Sequence, residues 1–319
     1  VAEEGSRHPF SGTPGEAANE VERLLKQSLA GQMVADVPLG AFLSGGVDSS
    51  TIVALMQELA NAPVKTFSIG FSEAGYDEAA HARRVARHLG TEHREITLSS
   101  ADARAVIPEL PKIYAEPFAD SSQIPTALVA KMARQHVTVS LSGDGGDEVF
   151  CGYRRYAYAA DVWPKLSKTP RALRAGAAGL IRSIKPGYWD ALAGKSRLAG
   201  DRLHKTARIM ALSNCDEAYR ALVSHWDEPD ALVVGAQEPD AARASAIGDP
   251  VRRMMLQDTV GYLPDDILVK VDRASMAVSL ESRIPLLDHR LVDPLGVRIA
   301  HAGRDVLGLS HCGHHTHAL

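Results

Sequence analysis

Apolar positions along the first half of this chain alternate between two rhythms. Val21, Leu24, Leu25 and Leu29 fall at three- and four-residue steps, which predicts a helix ahead of the first strand. A short apolar run at 39–43 then gives way to a helical pattern near 49–60. Residues 64–71 predict a second strand followed by a helix over 77–89. Residues 93–98 predict a third strand, followed by helical segments to about 135, and 137–141 predict a fourth. Strands and helices alternating at these lengths predict an α/β fold, with a parallel sheet covered by helices on both faces. After Cys151 the rhythm changes. Residues 156–250 are rich in Ala, Leu and Arg, read as mostly helical, and hold no motif with recognisable chemistry.

Composition narrows the possibilities further. The chain has 319 residues, 45% of them hydrophobic and 23% charged, which suits a globular protein with one large core or two ordinary ones. A formal charge of −4 gives no electrostatic case for nucleic-acid binding. No apolar stretch approaches the length that spans a bilayer, and the start lacks the basic and apolar segments of a signal peptide. Cys151, Cys215 and Cys312 are widely spaced and odd in number, so a reduced, cytoplasmic setting is expected rather than a disulfide framework. Residues 1–18, rich in Gly, Ser, Pro and Glu, read as a linker or ragged end. Residues 296–319 carry His301, His311, His314, His315 and His317 and read as a separate His-rich tail. Between them lies the expected domain at 19–295, with a sheet core at about 36–150 and a helical part at about 156–295.

Candidate chemistry sits at two glycine-rich turns. Leu43-Ser44-Gly45-Gly46-Val47-Asp48-Ser49-Ser50 follows the first strand and opens a helix. Adjacent glycines let the backbone close around phosphate oxygens, and free N–H groups at a helix start favour an anion. A Walker-type loop would end in Gly-Lys-Ser/Thr, and no lysine appears here. The loop therefore suits pyrophosphate as a leaving group, with cleavage between the α and β phosphates. Ser142-Gly143-Asp144-Gly145-Gly146-Asp147-Glu148 packs three carboxylates and three glycines after the fourth strand. Such clustered acids repel one another unless a cation lies among them; otherwise the segment is an acidic surface turn. Mg²⁺ shared between Asp48, Asp147 and a bound nucleotide fits the first alternative. Both turns follow strand ends, where open parallel sheets bind ligands.

Two further stretches are less specific. Asp265-Asp266-Ile267-Leu268-Val269-Lys270-Val271-Asp272-Arg273 puts Asp266, Lys270 and Arg273 on one helix face, and either positions a charged substrate or braces the sheet domain. Glu281, Arg283 and Asp288 follow in a helix-to-turn pattern. In Glu116-Pro117-Phe118-Ala119-Asp120-Ser121-Ser122-Gln123, Ser121 or Asp120 either caps the next helix or contributes to a site at the strand ends.

Together the segments at 44–50, at 142–148 and at 266–288 (DILVKVDRASMAVSLESRIPLLD) resemble the synthetase domain of glutamine-hydrolysing asparagine synthetases, in order and in spacing, over roughly 20–295. The resemblance implies a PP-loop ATP pyrophosphatase fold of the adenine nucleotide alpha hydrolase kind. It also implies a ligase that adenylates the side-chain carboxylate of aspartate, releases pyrophosphate, and aminates β-aspartyl-AMP to asparagine. Leu43 and Ile69 would contact the adenosine portion, Ser44, Gly45, Gly46, Asp48, Ser49 and Ser50 would hold pyrophosphate, and Ser142 and Gly143 would contact the nucleotide. Asp48 and Asp147 would hold Mg²⁺. Asp144, with Lys270 and Arg273, supplies the catalytic candidates. Many relatives have Glu at the position of Asp144, so its reach here is one methylene shorter. Asp120, Asp266, Asp272 and Arg283 are candidate contacts to the acid substrate.

Departures from the family pattern shape the remaining expectations. No cysteine nucleophile of a glutaminase half begins the chain, so it should not hydrolyse glutamine by itself. Ammonia would come from solution or from a glutaminase domain or subunit, and the assembly would be a homodimer. The tail matches neither the Gly-Lys segment nor the later lysine-bearing loop of the family. Cys151 stands where the family usually has glycine and reads as a small buried substitution. Two alternatives stay open: a catalytically impaired nucleotide-binding fragment, and a related ligase acting on another carboxylate.

Overall fold

A computed structural model describes residues 10–72, 79–193, 199–224, 234–235 and 247–292. The His-rich tail at 296–319 lies outside the described residues. Helix α1, Pro14–Gln32, begins inside the segment expected to be a linker. The signal was present: Thr13 and Glu16 form a reciprocal capping box, and Pro14 occupies the first turn, where its missing N–H is no loss. Strand β1, Leu39–Phe42, leads into α2, Val47–Leu59. Then come β2, Lys65–Phe71, α3, Ala79–Leu89, and β3, Glu92–Leu98. After short helical turns between Ser100 and Tyr114, α4 runs over Gln123–Arg134. It is followed by β4, Val139–Leu141, and the short α5, Gly146–Phe150.

All strand pairings are parallel, in the order β3-β2-β1-β4-β5. The fifth strand, β5, is Glu281–Arg283, in a segment read from sequence as helix to turn. It pairs with β4 through Val139↔Glu281, Ser140↔Ser282 and Leu141↔Arg283. The chain therefore winds outward through β2 and β3, then crosses back to β4 beside β1. The crevice between β1 and β4 is the topological switch point, where such sheets take their ligands. One sheet face packs Leu24, Leu25 and Leu29 of α1 and Ile52, Val53 and Met56 of α2 against Ala41, Leu43, Val139 and Leu141. The other buries Phe67, Ala130, Ala133, Val137 and Leu280. Burial on both faces explains the apolar run of β1 and leaves even Ser140, between Val139 and Leu141 on β4, fully buried.

The described residues divide into two compact units. One holds the sheet and takes in the described residues from Gln257 to Val292, so the segment expected to be helical up to about 295 is divided. Its returning part is a wide-turn π-helical stretch, Asp258–Leu268, with Pro264 inside it, followed by α-helical turns at Val269–Met276 and then β5. The other unit is helical. Its α6, Arg171–Ser183, and α7, Pro186–Ala193, pack on α8, Ala199–Met210, with α9 at Cys215–Val223. Buried Arg174 ties that unit together by donating to the carbonyls of Thr169, Met210 and Leu212. The helix at Val269–Met276 is α10 below.

Candidate active site

The first turn is built by the end of β1. Leu43 extends the ladder by donating its N–H to the Phe67 carbonyl at 2.8 Å, and the chain then reverses through Ser44, Gly45 and Gly46. Gly45 has φ of +83°, and a Cβ there would lie 2.6 Å from the Ala82 backbone nitrogen, so the turn accepts only glycine. Gly46 caps α2 without a side chain in that role, which leaves first-turn N–H groups for a ligand. The loop is held by hydroxyls. Ser49 Oγ accepts the Ser44 N–H at 3.2 Å, the two hydroxyls lie 2.9 Å apart, and Ser44 Oγ accepts the Gly46 N–H at 3.2 Å. Ser50 Oγ is buried without a hydrogen-bond partner among the described residues. Ile69 lies on β2 two residues past Phe67, half-buried near the same strand ends.

The second turn leans directly on the first. Ser142 donates its N–H to the Arg283 carbonyl at 3.0 Å, which aligns it with the edge strand. A Cβ on Gly143 would come within 2.7 Å of Ser49 N, and one on Gly146 would lie 2.6 and 2.8 Å from the two carboxylate oxygens of Asp48. Gly143 needs glycine because backbone meets backbone there, and glycine at 146 leaves the room that the Asp48 carboxylate occupies. Asp147 sits in the first turn of α5, and a Cβ on Gly152 would collide with its carboxylate. Segments nearly a hundred residues apart in sequence thus form one acidic, glycine-lined cleft at the switch point.

Carboxylates crowd this part of the cleft. Burial first, and then the charges of Asp147, Glu148 and Asp144, push the Asp48 carboxyl up to about 7. Burial raises Asp144 as well, against the opposing effects of the Ser142 hydroxyl and the Lys270 charge. Glu148, part of the acidic motif in sequence but given no role of its own there, is buried and belongs to this cluster. Among the described residues no three His, Cys, Asp or Glu side chains are arranged to hold a metal by themselves. Carboxylates that lower one another's acidity, beside a loop shaped for phosphate, fit a Mg²⁺ that takes one or two of them and completes its shell with phosphate oxygens.

Lys270, on α10, reaches the same end of the sheet. Its Nζ lies 2.5 Å from Asp120 Oδ2 and 3.9 Å from Asp266 Oδ1. Asp120 also accepts the Ser122 N–H at 2.8 Å and the Ser122 hydroxyl at 2.7 Å. Burial alone would raise the Asp120 carboxyl, but the hydrogen bonds from Lys270 and Ser122 outweigh it and hold the group below the usual carboxylate range. Asp120 does not cap α4; its bonds to Ser122 form an Asx turn just before that helix.

Three candidates are not brought into this cleft. Arg273 donates to the Tyr114 carbonyl and pairs with Glu116 at 3.1 Å, so its guanidinium fastens the 114–116 turn to α10. Asp272, on α10 between Lys270 and Arg273, is exposed. Arg283 points back toward α1, donating to the carbonyls of Gln32 at 2.5 Å and Val34 at 2.8 Å and to Glu281 at 2.6 Å. Cations are drawn to the unpaired carbonyls at a helix C-terminus, and α1 has no basic residue of its own there. Glu116 heads the polar turn quoted from sequence but had no role assigned there, and Tyr114, which fixes the turn with it, carried no signal.

The parallel sheet, with a pyrophosphate-type turn after β1 and its acidic counterpart after β4, is that of an α/β PP-loop ATP pyrophosphatase-like domain. The asparagine synthase family matches residues 20–296, and the chain belongs to that family. It is 32% identical over 280 residues to asparagine synthetase (glutamine-hydrolyzing) 1 of Bacillus subtilis, covering 86% of this chain and 42% of that protein. A Mycobacterium tuberculosis protein provisionally named asparagine synthetase (glutamine-hydrolyzing) is 35% identical over 276 residues, covering 85% of this chain and 40% of that protein. The chain thus spans less than half the length of these relatives.

Proposed function

We propose that this chain is the synthetase part of an ATP-dependent amide-forming ligase that converts aspartate to asparagine. The contact between the two glycine-rich turns, with the Asp48 carboxylate lying over Gly146, is the observation that carries the reading. It makes a single cleft able to take a triphosphate on one wall and acidic groups on the other. In this reading Leu43 and Ile69 flank the adenosine portion, and Ser142 and Gly143 contact the nucleotide. The N–H groups and hydroxyls of 44–50 receive the β and γ phosphates. The aspartate side-chain carboxylate attacks the α-phosphorus, the bond to the bridging oxygen breaks, and pyrophosphate leaves. Ammonia then attacks the activated carbonyl, AMP departs, and a proton is lost to give the amide.

A free carboxylate is a poor acylating agent, and adenylation supplies the leaving group it lacks. Lys270, beside Asp144, faces the charge that develops at the α-phosphate. Asp48 and Asp147 are the residues that would hold Mg²⁺, which when bound would neutralise the phosphates. The reading further takes aspartate and ammonia as substrates, a glutaminase domain or subunit as the ammonia source, and a homodimeric assembly. The setting proposed is a reducing cytoplasm, in which the cysteines at 151 and 215 stay thiols. Among the described residues no helix is long and apolar enough to cross a membrane.

The test supplies the purified chain with ATP, Mg²⁺, aspartate and ammonium and follows phosphorus products by ³¹P NMR. AMP and pyrophosphate should form only with aspartate present, and EDTA should stop them. Asp48→Asn should lower the rate by about two to three orders of magnitude, as expected when an electrostatic contact to the transition state is removed. Release of ADP and inorganic phosphate would exclude attack at the α-phosphorus.

A further inference from the structure

Asp120 meets Lys270 at 2.5 Å, and its surroundings fit poorly with contact to a substrate. Oδ1 accepts the Ser122 N–H, while Oδ2 accepts both the Ser122 hydroxyl and the Lys270 ammonium. Both charged side chains are only 8% exposed, so an incoming ammonium group would have to displace Lys270 to reach this carboxylate. We propose that Asp120 is a positioning residue, whose carboxylate holds the Lys270 ammonium toward Asp144 and does not itself touch the acid substrate. For its effect on turnover the proposal rests on the ligase reading above; the contact itself does not depend on it.

Lysine is a flexible point charge with four rotatable bonds, and its direction is set by its partners. Asp266, one turn earlier, is 3.9 Å from Nζ, beyond hydrogen-bond reach, so Asp120 does the aiming. It can do so because the turn that carries it is rigid. Tyr114 stacks on Phe118 with ring centres 5.0 Å apart and donates its hydroxyl to the Gln123 carbonyl at 3.1 Å. Gln123 in turn donates to the Phe118 carbonyl at 2.9 Å, and Arg273 anchors Tyr114 and Glu116 from α10. Lys270 and Arg273, one turn apart, thus grip the same loop, one at its polar tip and one at its base. With Asp120 neutralised, the buried ammonium loses its close counter-charge and its direction.

The experiment compares Asp120→Asn and Asp120→Glu, alone and with Lys270→Met, by two readouts. In aspartate-dependent pyrophosphate release, Asp120→Asn should lower kcat about a hundredfold, the scale of an ångström-level misplacement. KM for aspartate should stay within about threefold, since no uniform binding contact is lost. Asp120→Glu, which keeps the charge but shifts it by a methylene, should fall between. In the Lys270→Met background Asp120→Asn should bring no further loss. A raised KM for aspartate with kcat retained would overturn the proposal, because Asp120 would then be a substrate ligand.

The second readout needs no turnover. Acetic anhydride labelling followed by peptide mass spectrometry should show Lys270 modified about tenfold faster in Asp120→Asn, while exposed Lys112 is unchanged. Unaltered Lys270 labelling would overturn the proposal even in an active enzyme. If the wild-type chain releases no pyrophosphate with aspartate, the ligase reading fails and the labelling alone decides the role of Asp120. Should Asp120→Asn fail to fold, Asp120→Glu carries both readouts with smaller changes expected.

Discussion

Cys151 ends α5 in the left-handed region, with φ of +65°. A side chain in that conformation costs about 1–2 kcal/mol, whereas glycine adopts it freely. Glycine would suit this position for a backbone reason, and Cys151, half-buried rather than buried, carries the strain. Cys151→Gly should stabilise the protein by about 0.5–1 kcal/mol, since the added chain entropy of glycine in the unfolded state offsets part of the relief. A urea titration should show a higher midpoint at an unchanged slope. A lower midpoint would mean that contacts of the thiol outweigh the backbone strain. Single residues were legible in sequence where the backbone itself imposes the choice, as at Gly45 and Gly145, both with φ in the left-handed region. They were illegible where a long side chain can turn either way. Arg273 and Arg283 share a charged stretch with Lys270, yet only Lys270 meets the cleft, because nothing in residue type says which carbonyls lie within reach.

At the scale of elements, β2 and β3 are joined by His93 as well as by their ladder. Its Nδ1 lies 2.9 Å from Thr66 Oγ1 and its Nε2 lies 3.1 Å from Ser68 Oγ, both on the neighbouring strand. Burial, partly opposed by Glu95, lowers the pKa of the ring below its ordinary value of 6.5. The folded protein therefore keeps a neutral imidazole at pH values where the unfolded chain takes up a proton. Since the unfolded state binds more protons there, this contribution to stability is full above pH 6.5 and is lost as pH falls toward the folded value. Thermal melts from pH 7.5 to 5 should show wild type losing more stability than His93→Gln, whose side chain does not titrate. Parallel profiles for the two proteins would remove His93 as the cause. The strands β1, β2 and β4 were readable because burial brings apolar residues together in them, whereas β3 is a polar, largely exposed edge strand whose only strongly buried residue is Leu98. By contrast, β5 is three polar residues on an edge, and its place comes wholly from pairing with β4. Such a strand has no local signature, and Pro264 within a helical stretch hid the approach to it.

For the molecule as a whole, what matters is which residues the cleft requires. Every residue placed there, from Leu43 to Lys270, belongs to the unit that holds the sheet, and none comes from 153–256. Within that unit, α5 packs against the π-helical stretch Asp258–Leu268, so the chain leaves and rejoins the sheet through neighbouring elements. Neighbouring ends of this kind mark an insertion that the parent fold can accommodate, and they make its removal a fair experiment. Replacing 153–256 with a short Gly/Ser linker should leave a protein that unfolds cooperatively and still binds nucleotide. With ATP at about a hundred times its Kd, the unfolding free energy should rise by about 2.7 kcal/mol, as for any ligand that binds the folded state alone. Turnover with aspartate and ammonium is a separate measurement on the same protein. Loss of turnover with ATP stabilisation retained would assign the helical unit to the second substrate or to ammonia. Loss of the ATP effect itself, in a protein that still melts cooperatively, would show that the turns at 44–50 and 142–148 do not make the nucleotide site by themselves.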